Sequence, residues 1–200
     1  MAQKNFQIKG KNIQLRDWII EDIPPYEKWL TGAHKWLEFD GPYYAKSTKE
    51  GAKEAALSLK KKIEKQAFPK VRNRVAIADI NTNQLIGNIS YYWESIETNW
   101  LCTGLVIFDE NYWSKGLGFE AMGLWSQYLF DEIPEIVRLD MRTWSGNIGM
   151  MRLAEKLGFT LEARFRDARI VKGKYYDSIG YGILRKEWNT LYPKGFKNHI

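Results

Sequence analysis

The sequence predicts an α/β fold in which helices flank one mixed sheet, and three observations predict it. The run Gly104-Leu105-Val106-Ile107-Phe108 is short, continuous and apolar, as a strand buried on both faces is. Across residues 119–130, Ala121, Met122, Trp125, Tyr128 and Leu129 recur at spacings of three and four, which makes one apolar helical face. Val137, Leu139 and Met141 then alternate with Arg138, Asp140 and Arg142, so strand, helix and strand follow as a βαβ unit. With 44% apolar residues, the 200-residue chain can bury one core, and residues 1–200 are expected to form a single domain.

Taken in order, Ile13-Gln14-Leu15-Arg16 alternates as a short first strand would. Glu21-Asp22 followed by Pro24 suits the start of a helix through Tyr26 to Leu30, with acids and proline in the first turn. Residues 34–45 form a loop dense in aromatics and acids: Trp36, Glu38, Phe39, Asp40, Tyr43 and Tyr44. Such a loop either displays binding groups or plugs a core edge with its rings. Ser47-Thr48-Lys49-Glu50 reads as a capping box, and Ala52, Ala55, Ala56, Leu59 and Ile63 form the stripe of a helix ending near Gln66. Lys60, Lys61, Lys62 and Lys65 lie opposite that stripe and read as a solvated face rather than a nucleic-acid patch.

The period then becomes strand-like at Val75 and Ile77, turns at residues 81–84 and returns over 85–93 as a hairpin. A second turn over 94–99 leads into the strand 100–108. Asn147 opens a helix with Met150, Leu153, Ala154 and Leu157 on one face, closed by Lys156 and by Gly158 as C-cap. Two more strands, near 160–171 and 175–184, turn at Gly173-Lys174. Residues 187–200 show no readable period.

The junction Tyr112-Trp113-Ser114-Lys115-Gly116-Leu117-Gly118-Phe119-Glu120 carries the chemistry. The first amides of a helix lack internal partners and sit at the positive end of its dipole, so they bind anions. Gly116 and Gly118 allow close approach to the backbone and Lys115 adds a charge, so a diphosphate is the expected guest. A plain tight turn is the alternative. The loop is too short for a P-loop and no Ser or Thr follows Lys115. A dinucleotide fingerprint permits Ala121 as its third small residue but also requires an acid after the next strand.

No apolar leader and no stretch near eighteen apolar residues is present, so a soluble cytoplasmic protein without a membrane span is expected. The single Cys102 and the two histidines, His34 and His199, cannot build a Cys/His cluster, and no metal is expected. The net charge of +6 suits an anionic partner, either nucleotide-like or nucleic acid. Nine tryptophans leave room for a homodimer interface without establishing one.

The element order β-α-α-βββ-α-β-α-ββ with a phosphate turn after the central strand is similar to the layout of the GNAT N-acyltransferase superfamily. Residues Trp113-Ser114-Lys115-Gly116-Leu117-Gly118-Phe119-Glu120-Ala121 resemble its acetyl-CoA pyrophosphate motif. Asn147-Ile148-Gly149-Met150-Met151-Arg152-Leu153-Ala154-Glu155-Lys156-Leu157-Gly158-Phe159 resembles its second motif, as found in the branch that acetylates N-termini of ribosomal proteins. The resemblance covers residues 12–188. It implies one domain with a twisted, mixed, mostly antiparallel sheet of about seven strands.

It also implies that Lys115, Gly116, Leu117 and Gly118 hold the CoA pyrophosphate, that Val106 and Ile107 pair their backbone with the pantetheine arm, and that Asn147 binds the pantetheine or the reacting centre. A plain helix cap fits Asn147 as well. Trp113 stands where the family usually has Gln or Arg, Met150 where the branch often has a serine, and Arg169 where an acidic base is sometimes proposed. The implied reaction is direct attack of an amine, a peptide N-terminus or a small amine, on acetyl-CoA. Base candidates are Glu38 and Asp40, then Glu94, Asp167 and Asp177; Tyr175 and Tyr176 are candidate acids, and Cys102 reads as a buried filler. An acyl-CoA sensor without turnover, a small-amine or antibiotic acetyltransferase and, more remotely, a nucleic-acid binder are the rival readings.

Overall fold

The computed structural model describes residues 5–200. The strands are β1 (Gln7–Lys9), β2 (Ile13–Arg16), β3 (Arg74–Asp79), β4 (Leu85–Ser95), β5 (Trp100–Ile107), β6 (Arg138–Trp144), β7 (Thr160–Val171) and β8 (Lys174–Leu184). The helices are α1 (Ile23–Leu30), α2 (Lys49–Glu64), α3 (Leu117–Glu132), α4 (Ile148–Lys156) and α5 (Arg185–Leu191). All eight strands join one sheet in the order β1-β2-β3-β4-β5-β6-β8-β7. The β5–β6 pair is parallel, and every other pair is antiparallel. The strand beyond the expected seven is β1, three residues long and too short to show a period.

Alternation along the strands sends side chains to two layers. On one face Leu15, Ile77, Ile89, Leu101, Leu139 and Tyr181 pack against α3 and α4 in the larger core. On the other, Ala76 and Phe108 meet Trp18, Tyr26, Trp36, Ala56 and Ile63 from α1, α2 and their connections. Helix α3 is buried on most sides, eleven of its sixteen residues being enclosed, because the C-terminal segment covers its outer flank. Trp188 and Phe196 are fully buried there, and a β-carbon on Gly123 would lie 2.0 Å from the Phe196 ring. This gives residues 187–200 the role that their sequence hid.

Two local readings are corrected. The cap of α2 is Thr48 rather than Ser47, its hydroxyl accepting from the Gly51 amide at 3.0 Å. Val137 lies outside β6 and is 61% exposed, because the core-facing positions of β6 are Leu139 and Met141.

The feature that places the site is a split in the sheet. The parallel ladder between β5 and β6 runs from Leu101 opposite Leu139 to Thr103 opposite Met141 and stops. Beyond it β5 stays on β4 as far as Ile107, while β6 stays on β8 as far as Trp144. A cleft opens between them.

Candidate active site

The register decides which backbone groups of β5 face the cleft. The Phe108 amide donates to the Ile86 carbonyl, 2.9 Å, with Ile107 opposite Gly87. In an antiparallel ladder this makes Val106 and Asn88 the pair that exchanges both hydrogen bonds. The N–H and C=O groups of Leu105 and Ile107 therefore turn to the other edge, which β6 has left. Of the expected pair Val106 and Ile107, Val106 has its polar backbone groups engaged by β4, so the groups at the open edge are those of Leu105 and Ile107. Register was the missing information; Leu105 and Ile107 share a parity that the sequence could not align to an edge.

At the end of this edge the chain makes its turn. Ser114 and Gly116 both adopt left-handed backbone, with φ of 58° and 81°, and Ser114, Lys115 and Gly116 are exposed. The Glu120 amide donates to the Gly116 carbonyl, 3.1 Å, so the amides of Leu117, Gly118 and Phe119 precede the first intrahelical donor of α3. Lys115 stands over the Tyr112 ring, 5.8 Å from its centroid, free of ion pairs among the described residues. The three amides, the dipole and the lysine suit an anion. The start of α3 is pinned from far away in sequence: the buried Glu120 carboxylate accepts from the amides of Lys11, Asn12 and Ile13, at 2.5, 2.8 and 3.2 Å. Trp113 takes no part in the turn's amide set. Its Nε1 donates to the Ile107 carbonyl, 2.9 Å, and its ring meets Phe39 edge-on at 5.5 Å.

Across the cleft, the β6–α4 corner holds the 34–45 loop. Asn147 Oδ1 accepts from the Met150 amide, 3.1 Å, capping α4, while its Nδ2 donates to the Phe39 carbonyl, 3.3 Å. Trp144 Nε1 donates to the same carbonyl, 2.9 Å. Phe39 thus bridges Trp113 on one arm of the split to Trp144 and Asn147 on the other. Asn147 is both cap and loop anchor, and the sequence showed the first of these.

The candidate acids separate by what they touch. Glu38 pairs with Lys172, 3.2 Å, and Glu94 with Arg142, 3.2 Å. Asp177 pairs with Arg164, 2.5 Å; that hydrogen bond, with one from the Asp167 amide, holds its carboxyl below the ordinary range. Asp167 lies at an irregularity of β7 with a φ of 55°. Asp40 has no ion pair among the described residues. Asp40 is exposed, yet the protein packed around it partly desolvates its carboxyl and holds it above the ordinary range, with the Arg74 charge opposing. Tyr175 is exposed on the last hairpin, whereas Tyr176 packs edge-on against Trp144 at 4.8 Å. Burial pushes the Cys102 thiol up to about 11, which keeps it protonated near neutral pH. Among the described residues no group of His, Cys, Asp and Glu could hold a metal, and no helix is long and apolar enough to cross a membrane.

The family described as acetyltransferase (GNAT) domain matches residues 12–160. The SPbeta prophage-derived uncharacterized N-acetyltransferase YokL of Bacillus subtilis is 30% identical over 112 residues, covering 56% of this chain and 62% of that protein. A second Bacillus subtilis protein, provisionally named ribosomal N-acetyltransferase YdaF, is 31% identical over 74 residues, 37% of this chain and 40% of that protein. The matched stretches thus span less than two thirds of either relative. Among solved structures, an acetyltransferase (GNAT family) from Bacillus anthracis superposes with a TM-score of 0.72 at 19% identity, covering 91% of this chain and all of that one.

Proposed function

The chain belongs to the GNAT acetyltransferase family, and we propose that it transfers an acetyl group from acetyl-CoA to a primary amine, foremost the α-amine of a protein N-terminus. The observation that carries this reading is the split between β5 and β6, whose open edge at Leu105 and Ile107 runs directly into a turn of free helix amides. Acetyl-CoA brings the acetyl group already activated as a thioester.

The residues of the chain bind and orient. The amides of Leu117, Gly118 and Phe119, with Lys115, hold the diphosphate. Leu105 and Ile107 hydrogen-bond the amide-bearing arm as an added strand would, Trp113 closing the Ile107 carbonyl at its end. An N–H of the same edge donates to the thioester oxygen as negative charge develops on it. The amine attacks as its neutral form, acetyl passes from sulfur to nitrogen, sulfur leaves as thiolate, and Asp40 accepts the proton that nitrogen gives up. Asn147 acts as a positioning residue through Phe39. An α-amine has a reference pKa of about 8 against about 10.4 for lysine, so an N-terminus asks less of the base. The ribosomal name of YdaF supports that acceptor.

The test is thiol release from acetyl-CoA with peptides beginning in Ala or Ser, with lysine side-chain amines and with small amines. Turnover is expected with N-terminal α-amines above the others. Binding of acetyl-CoA without thiol release on any amine would contradict transfer and favour a sensor.

A further inference from the structure

One cation beside this cleft has no task in the reaction as described. Arg169 of β7 stands opposite Tyr176 of β8, and Tyr176 packs on Trp144, so all three share the face on which the 34–45 loop lies. The Arg169 guanidinium sits over the Tyr43 ring, 4.7 Å from its centroid, on the loop that also carries Asp40. Its Nε is buried without a hydrogen-bond partner, and its Nη1 reaches the Ala168 carbonyl only at 3.3 Å. Among the described residues no carboxylate pairs with it.

Three nearby cations have partners. Arg142 has Glu94 and Lys172 has Glu38, each at 3.2 Å. Arg74 lacks a carboxylate, but its Nε donates to Asn88 Oδ1 at 3.2 Å and its guanidinium lies over the Trp18 and Tyr26 rings. Arg169 differs in holding an unused, desolvated donor. A ring beneath a guanidinium fixes its plane without neutralising it, and the planar fork that remains matches a carboxylate.

We propose that Arg169, held on Tyr43, receives a carboxylate carried by the acceptor close to the amine that is acetylated, so that the chain favours a free amino acid or a peptide with an acidic start. This rests on the acetyltransferase reading above. The carboxylate accepts from the guanidinium of Arg169, and the amine is presented on the side of the 34–45 loop that carries Asp40.

The test compares kcat/KM for matched acceptors: peptides beginning Ala-Glu against Ala-Gln, and free glutamate against its diamide. The first pair reports a peptide source and the second a free amino acid. The carboxylate member of at least one pair is expected to be about tenfold or more better, the scale of a charge-assisted hydrogen bond. Arg169→Gln should bring that ratio to about one with the KM for acetyl-CoA unchanged, and Arg169→Lys should keep part of it. Ratios of about one in the wild type, or a preference that survives Arg169→Gln, overturn the proposal. Should acetyl-CoA bind while no acceptor is acetylated, the same pairs are titrated calorimetrically into the protein saturated with CoA. Equal binding within each pair then overturns the proposal and leaves the cofactor site standing. Failure of acetyl-CoA itself to bind overturns the transferase reading beneath it.

Discussion

A β-carbon added at Gly104 would meet nothing within 4 Å, although the residue lies inside a strand next to the buried Thr103. Glycine weakens a strand interior, so one placed beside open space marks the approach of something else. Gly104→Val should leave the denaturant midpoint unchanged or higher, valine being the better strand residue, yet lower kcat/KM by about tenfold or more by filling the cleft floor. Unchanged kinetics would take Gly104 off the substrate path. Asp40 tests the base. Its folded-state pKa lies above the unfolded value, so the folded chain binds the proton more tightly, and stability falls as pH rises through the interval between the two. Asp40→Asn should therefore gain stability over the wild type above that interval and none below it, while turnover falls. Denaturation midpoints from about pH 3 to 7 read the first effect and thiol release the second. An Asn variant with full activity would remove Asp40 from the mechanism.

At the scale of elements, the weight falls on the corner where α4 begins. Asn147→Ala loses the cap and the bond to Phe39, and should cost about 1 kcal/mol. Asn147→Asp keeps an acceptor for the Met150 amide and suits the helix dipole, so stability should return. Neither variant can donate to the Phe39 carbonyl, so both should raise the acceptor KM; an Asp variant with the wild-type acceptor KM would show that the loop anchor is idle. Most elements were legible because their periods are local: α3 and α4 in their three-and-four stripes, the hairpins in their turn residues. The glycine turn was legible for the same reason. What escaped depends on partners distant in sequence. Which backbone edge of β5 is open follows from its register with β4, Glu120 is fixed by amides 107 to 109 residues away, and the C-terminal aromatics make sense only against Gly123 of α3.

At the scale of the whole molecule, one device organises the rest: a sheet held together along most of its width and parted between β5 and β6, with a helix start at one lip and the 34–45 loop across the other. The larger core locks α3 under the split, and Glu120 ties that helix to the β1–β2 turn, so the free amides at its start are set before any ligand arrives. In the proposed reaction those amides hold the diphosphate of acetyl-CoA. Calorimetric titration with acetyl-CoA tests it most directly, on the wild type beside Gly118→Glu. A β-carbon at Gly118 comes no closer than 3.8 Å to Leu153 and the backbone there is not left-handed, so the variant should fold, with a negative charge added in the first turn of α3 beside the free amides. Wild-type binding that weakens about tenfold or more in the variant, at an unchanged denaturant midpoint, is the predicted result. A folded wild type that does not bind, or a variant that binds equally well, would contradict it.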